Sequence, residues 1–324
     1  MRVHTLIAST VLALFSLAAD SDAASQRSFV GGNYVVEVAG ANGGYVSQVS
    51  AGGMSATVVV DRAGAPGVYP KKHLAGSQFD DITFTVAAPE APMSNWIKAA
   101  VNSAQPQKRD GAIIATDANF KEMSRVTWKD GTLTDITFPE LDASAAKKRW
   151  EIQVTVTPSV VAYAAGAGAP VPVGVASKAK VAMMSSNFRM GIPGLDLKRV
   201  FRVEELSVRY RVVTSTSNVG DGRLPYEKTP GAVDVSNLAF ELPEADAPQI
   251  YAWYQAFVKS GGADKEKKTA TIELLSPKLD AVMGTITLGG VGISKVTLTG
   301  ASASDAVRRV RAEAFVESVQ VDFR

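Results

Sequence analysis

Two stretches of this chain carry the same helical stripe, and that duplication limits the fold more than any other feature. Over residues 248–261, Ile250, Trp253, Tyr254, Phe257 and Val258 recur at i, i+3, i+4, i+7 and i+8, which puts every large apolar side chain on one side of a helix. Met93, Trp96, Ile97, Ala100 and Val101 repeat the spacing after Pro92. In the later stretch, Pro248 stands in the first turn and Gly261 just past the end, as start and stop chemistry requires. A lone helix of about 12 residues is marginal in water. Each stripe must therefore dock on a larger core, where burial stabilises by roughly 1.5–3 kcal/mol per large apolar side chain. Strand-like runs at 82–86 and 238–242 lead into the two helices through acidic, proline-containing turns.

The correspondence extends along most of the chain. Tyr34, Val36, Val38 and Gly40 match Phe188, Met190, Ile192 and Gly194, and Val46, Val49 and Val58-Val59 match Val200, Val203 and Val212-Val213, all 154 residues apart (34 to 188). Ile82 and Leu238 stand 156 apart, and Trp96 and Trp253 157. Ile136, Phe138 and Lys148-Arg149 match Val296, Leu298 and Arg308-Arg309 at 160, as do Trp150, Ile152, Val154 and Val156 with Val310, Ala312, Ala314 and Val316. Offsets that grow slowly and never reverse are what one unit copied twice would leave. Each copy reads as a strand, a hairpin turning through residues 40–44 in the first case, a long loop, a strand, a helix and further strands. The later strands are expected at 112–116, 124–128, 133–138 and 150–156, and again at 269–275, 284–288, 293–299 and 307–321. The expected fold is α+β, mainly β: two tandem antiparallel β-barrel or sandwich domains, each with one flanking amphipathic helix. The domains span 29–159 and 187–324, joined by an Ala/Gly/Pro-rich linker at 160–186.

Residues 1–24 read as a secretory signal peptide, with a basic Arg2, an apolar run at 6–18 and the small-residue cleavage site Ser21-Asp22-Ala23. That run is too short to span a bilayer, and no other run approaches a membrane helix. The expected destination is therefore the periplasm or the extracellular space. With zero cysteines there is neither a disulfide framework nor thiol chemistry, and a net charge of +2 points to neither nucleic acid nor an anionic membrane. After the leader a single histidine remains, His73, beside Lys71 and Lys72, which disfavour an imidazolium or a bound cation. Usual zinc sites, calcium loops and phosphate-cradling glycine motifs are missing, so no catalytic residue, metal or cofactor is expected. The remaining candidates are charged positions on strands: Lys148, Arg149 and Glu151 in the first copy, Arg308, Arg309, Arg311 and Glu313 in the second. Few aromatic residues surround them, which argues against base stacking. A charged strand face opposite an apolar one suits a wetted channel wall or a subunit joint, and equally an ordinary solvent face.

The opening hairpin, Tyr34-Val-Val-Glu-Val-Ala-Gly then Gly44-Tyr-Val-Ser-Gln-Val-Ser, resembles the start of T4-like bacteriophage tail tube proteins, as does Phe188-Arg-Met-Gly-Ile-Pro-Gly through Val203-Glu-Glu-Leu. Lys72-His-Leu-Ala-Gly76 and Lys228-Thr-Pro-Gly231, the tryptophan-bearing helices, and the loops Asp142-Ala-Ser-Ala and Ser302-Ala-Ser-Asp complete the likeness. The resemblance implies a β-barrel with a flanking helix, assembled as hexameric rings that stack into a tube, related to the tubes of type VI secretion and other contractile injection systems. The chain departs from the family pattern in carrying two units and a leader. Three such chains closing a pseudo-sixfold ring would reconcile the duplication with that architecture. The expected function is thus a non-enzymatic, exported structural protein whose partner is itself, with tail- or injection-system-like components beside it. The alternative is a secreted binding module, an adhesin or glycan binder.

Overall fold

The computed structural model describes residues 33–50, 52–61, 69–87, 89–103, 106–171, 183–215, 227–299 and 308–323. The leader at 1–24 and the Ser302-Ala-Ser-Asp loop lie outside them. The first barrel-like sheet starts with a hairpin of β1 (Asn33–Val38) and β2 (Ala41–Ser50). Its tight turn falls on Ala39 and Gly40, both at positive φ (50° and 78°), earlier than the glycine-rich run suggests. Residues 41–44 already belong to β2, where the ladder is irregular opposite Val36 and Glu37. A second hairpin, β3 (Met54–Asp61) with β4 (Lys71–Phe79), forms a separate two-stranded sheet, and β3 is exposed throughout.

From there β5 (Ile82–Ala87) leads into α1 (Ala91–Ser103), followed by β6 (Arg109–Thr116), β7 (Glu122–Phe138), the short β8 (Leu141–Asp142), β9 (Glu151–Thr157) and β10 (Val160–Ala165). β7 is a single bent strand of 17 residues rather than the two separate strands expected. Asp130 turns it at a φ of 48°. Before the bend it pairs with β6, after the bend with β9, so the order β7-β6-β1-β2-β5-β9 returns to β7 and the barrel closes. β10, within the stretch read as a linker, lies along the other edge of β7. β5 alternates buried and half-buried residues, sending Ile82, Phe84 and Val86 inward under α1.

The second half follows the same order: β11 (Phe188–Gly191), β12 (Arg202–Val203), β13 (Leu206–Ser215), β14 (Glu227–Val235), β15 (Leu238–Pro243), α2 (Ala247–Lys259), β16 (Lys268–Leu275), β17 (Val282–Thr299), β18 (Arg309–Phe315) and β19 (Ser318–Phe323). β17, like β7, is one long strand where two are expected, with Gly290 at a φ of 63°. The expected strand at 307–321 is two, β18 on one part of β17 and β19 on another. Among the described residues no ladder joins β11 to β12. Pro193 lacks a ladder donor, and Leu195 N instead closes a turn on Ile192 O at 3.0 Å.

Both helices dock as their stripes require, each anchored by its tryptophan. Trp96 Nε1 donates to Gln107 O at 2.9 Å and Trp253 Nε1 to Glu266 O at 3.2 Å. In α1 all five stripe residues are buried. In α2 Ile250, Trp253 and Phe257 are buried and Tyr254 is half-buried, but Val258 faces outward. The pairing registers also correct one alignment. β7 breaks register against β9 between Leu133 and Asp135, and β17 does so against β18 between Ile293 and Lys295, 160 residues later (133 to 293). Their partners, Val156 and Ala314, stand only 158 apart. The last strands therefore correspond two residues earlier than apolar matching suggests, and the offset does reverse.

Candidate functional site

The feature that organises the molecule is the place where the two halves share strands. β13 pairs antiparallel with the end of β7, setting Leu206, Ser207, Val208 and Arg209 opposite Phe138, Thr137, Ile136 and Asp135. Leu206 and Val208 are buried there against Ile136 and Phe138, which gives the junction an apolar seam. On its polar side, Arg209 Nε donates to Asp135 Oδ2 at 2.8 Å. β8 makes a second crossing, pairing Leu141 and Asp142 with Val203 and Arg202 of β12. Further tethers reach α1, among them Tyr210 Oη donating to Ala100 O at 2.5 Å and Val321 N of β19 donating to Asn102 Oδ1 at 2.8 Å.

The charged candidates do not converge on one point: Glu151 starts β9, Lys148 and Arg149 precede it, and Arg308, Arg309, Arg311 and Glu313 lie on or just before β18. Arg311 sits at the centre of the densest group: Nε and one terminal nitrogen donate to Glu204 at 2.6 and 2.8 Å, and the other terminal nitrogen donates to Glu313 at 2.8 Å. Asn237 donates to the second oxygen of Glu313 at 3.0 Å. Arg309 stacks over the Phe201 ring at 3.9 Å, and Arg308 pairs with Glu244 at 2.6 Å. In the first half, Glu151 accepts from Ser47 Oγ at 2.6 Å. Lys148 and Arg149 are exposed before β9, held through their backbones beside Ser185 and Met184.

Sequence reasoning missed Arg202, Glu204 and Arg209. The signal was present, since Arg202 and Glu204 flank the buried Val203 at alternate positions. Arg202 binds Glu140 at 2.6 Å and Glu241 at 3.4 Å, the former an acid from the first half. Hydrogen bonds from Arg311 hold the Glu204 carboxyl below its ordinary range, and those from Arg311 and then Asn237 do the same for Glu313. The same bonds raise the Arg311 guanidinium. These charges are fixed near neutral pH, which suits a joint or a wetted wall rather than proton transfer.

A pH dependence follows. Both carboxyls have folded values below their ordinary one of 4.5, so their contribution is complete above that value and is lost as pH falls through the lower folded values. Arg311→Gln is expected to cost about 1–3 kcal/mol near neutral pH. That cost should shrink in acid, once the carboxyls are protonated. Urea unfolding of both proteins near pH 7 and near pH 3 checks this; an equal cost at both would contradict it.

No protein-family model matches the chain, and no curated protein matches it. Among solved structures the chain is similar to a component of the anti-feeding prophage baseplate at 14% identity, over 42% of this chain and 91% of that one, with a TM-score of 0.35. A component of the extended sheath-tube complex of the PVC extracellular contractile injection system is similar at 16% identity, over 43% and 89%, with a TM-score of 0.34. Hcp1 from Flavobacterium johnsoniae is similar at 12% identity, over 43% of this chain and 96% of that one, with a TM-score of 0.28.

Proposed function

We propose that the protein is a non-enzymatic, exported structural subunit of a ring or tube of the kind built by phage tails and contractile injection systems, with three tandem-duplicated chains closing a pseudo-sixfold ring. The observation that carries this reading is the pairing of β13 on β7, which continues the sheet of one half into the hairpin of the other. A unit that joins its neighbour by strand addition can be repeated around an axis until the ring closes.

Matched registers support the duplication on which the ring depends. β1 on β6 sets Val36 opposite Ile113, and β11 on β16 sets Met190 opposite Ile272. Gln48 and Val49 face Thr85 and Phe84, as Arg202 and Val203 face Glu241 and Phe240. Stacking of rings is supported by exposed valines on both hairpins, Val58 and Val59 on β3, Val212 and Val213 on β13. The leader motif supports export to the periplasm or beyond, where the ring would meet tail- or injection-system-like components. Sedimentation of the purified mature protein over a dilution series is expected to give the mass of three chains, or of stacked multiples. A monomer at every concentration would contradict the proposal.

A further inference from the structure

We infer that hairpin β3–β4 of one chain adds to the free edge of β17 in a second copy, at the register that β13 takes on β7 within each chain. This interface rests on the ring reading above and gives it a residue-level contact.

Among the described residues there are two matched hairpins and two matched receiving edges, and only one of each is used. Val208 faces Val235 and Met54 faces Phe79 in the two hairpins, both of which carry an irregularity a few residues on. At their bases Ser236 N donates to Ser207 O and Asp80 N to Gly53 O, each at 2.9 Å. The receiving strands match as well, since β7 and β17 break register at corresponding places. β13 covers residues 135–138 of β7. Among the described residues no strand covers the corresponding edge of β17, and β3 pairs only with β4.

Burial marks the unused pair. Val208 is 1% exposed in the junction, whereas its counterpart Met54 is 58% exposed. Phe138 is 2% exposed and Leu298 46%. The helix beside each edge repeats the contrast: Val101 of α1 is 7% exposed beneath its neighbours, and Val258 of α2 is 56% exposed. Tyr163 of β10, which matches the buried Val321 of β19, is exposed as well. Such apolar positions on an unpaired hairpin and an unpaired edge form a template for strand addition. Because hairpin and edge are different surfaces, the contact is head-to-tail, the kind that closes rings. Carrying the β13–β7 register across puts Met54 opposite Val296 and Ser55 opposite Lys295.

The absence of cysteine makes the test clean. Facing residues in an antiparallel ladder are about 4.5–5.5 Å apart at Cα, within disulfide reach. S55C/K295C is expected to oxidise into covalent multimers ending in a closed trimer, at least about tenfold more than S55C/T299C, which lies four residues out of register. Met54→Asp changes a side chain that is exposed in the single chain, so it is expected to leave the melting of the monomer intact and to abolish assembly. Rings seen by electron microscopy without the S55C/K295C cross-link, or a Met54→Asp protein that still assembles, would overturn this interface and leave the ring standing. A native chain that never assembles would overturn both.

Discussion

Val208→Asp is expected to abolish cooperative folding, or to remove most of the urea stability of the chain, whereas the matching change at Met54 leaves the monomer's stability intact. Val208 lies opposite Ile136 in the β13–β7 ladder, and both are buried in the main core. Aspartate there loses roughly 1.5–3 kcal/mol of apolar burial. It also places a carboxyl where no water can reach it, at a cost of several kcal/mol even when it takes up a proton. Together these consume most of the roughly 5–15 kcal/mol that holds an ordinary domain folded. Circular dichroism during urea titration reads the effect. A wild-type midpoint would mean that β13 does not dock on β7 and that the halves are joined otherwise.

Trp128→Ala is expected to cost about 3–5 kcal/mol, the range for emptying a buried aromatic site. Trp128 stacks against Trp96 at 6.5 Å and Phe84 at 6.4 Å between ring centres, and its Nε1 donates to Arg109 O at 3.0 Å. Its slot is cut by two glycines: a Cβ on Gly111 or Gly131 would stand 2.3 or 2.4 Å from the indole. With the ring gone, Trp96 also loses its stacking partner, which loosens α1. Chemical denaturation gives the number directly; a loss under about 1 kcal/mol would show that the slot collapses freely.

The helices and much of the strand order were legible because each has a period that sequence displays, 3.6 for the stripes and 2 for strands such as β5 and β9. Trp96 announced α1, but its partner Trp128 lies in a strand with no distinguishing pattern of its own. The two-residue error in matching β9 to β18 has the same origin. Offsets of 158 and 160 both place Ile152 and Val154 over buried residues of β18, because a shift of two keeps every side chain on its face. Long bent strands look like pairs in the sequence because the bends at Asp130 and Gly290 resemble turns. Most hidden of all was the junction. Met54 and Val208 are both apolar residues near the start of a hairpin, and only the pairing shows that one is covered and the other open.

The most direct measurement is electron microscopy of the purified mature protein, with classification of end-on particle views. Side-by-side equivalent halves predict an annulus of six lobes, built from three chains, in which alternate joints are covalently continuous and the others are the contact of β3–β4 on β17. Particles without rotational symmetry, or a field of single two-lobed chains at every concentration, would contradict the account.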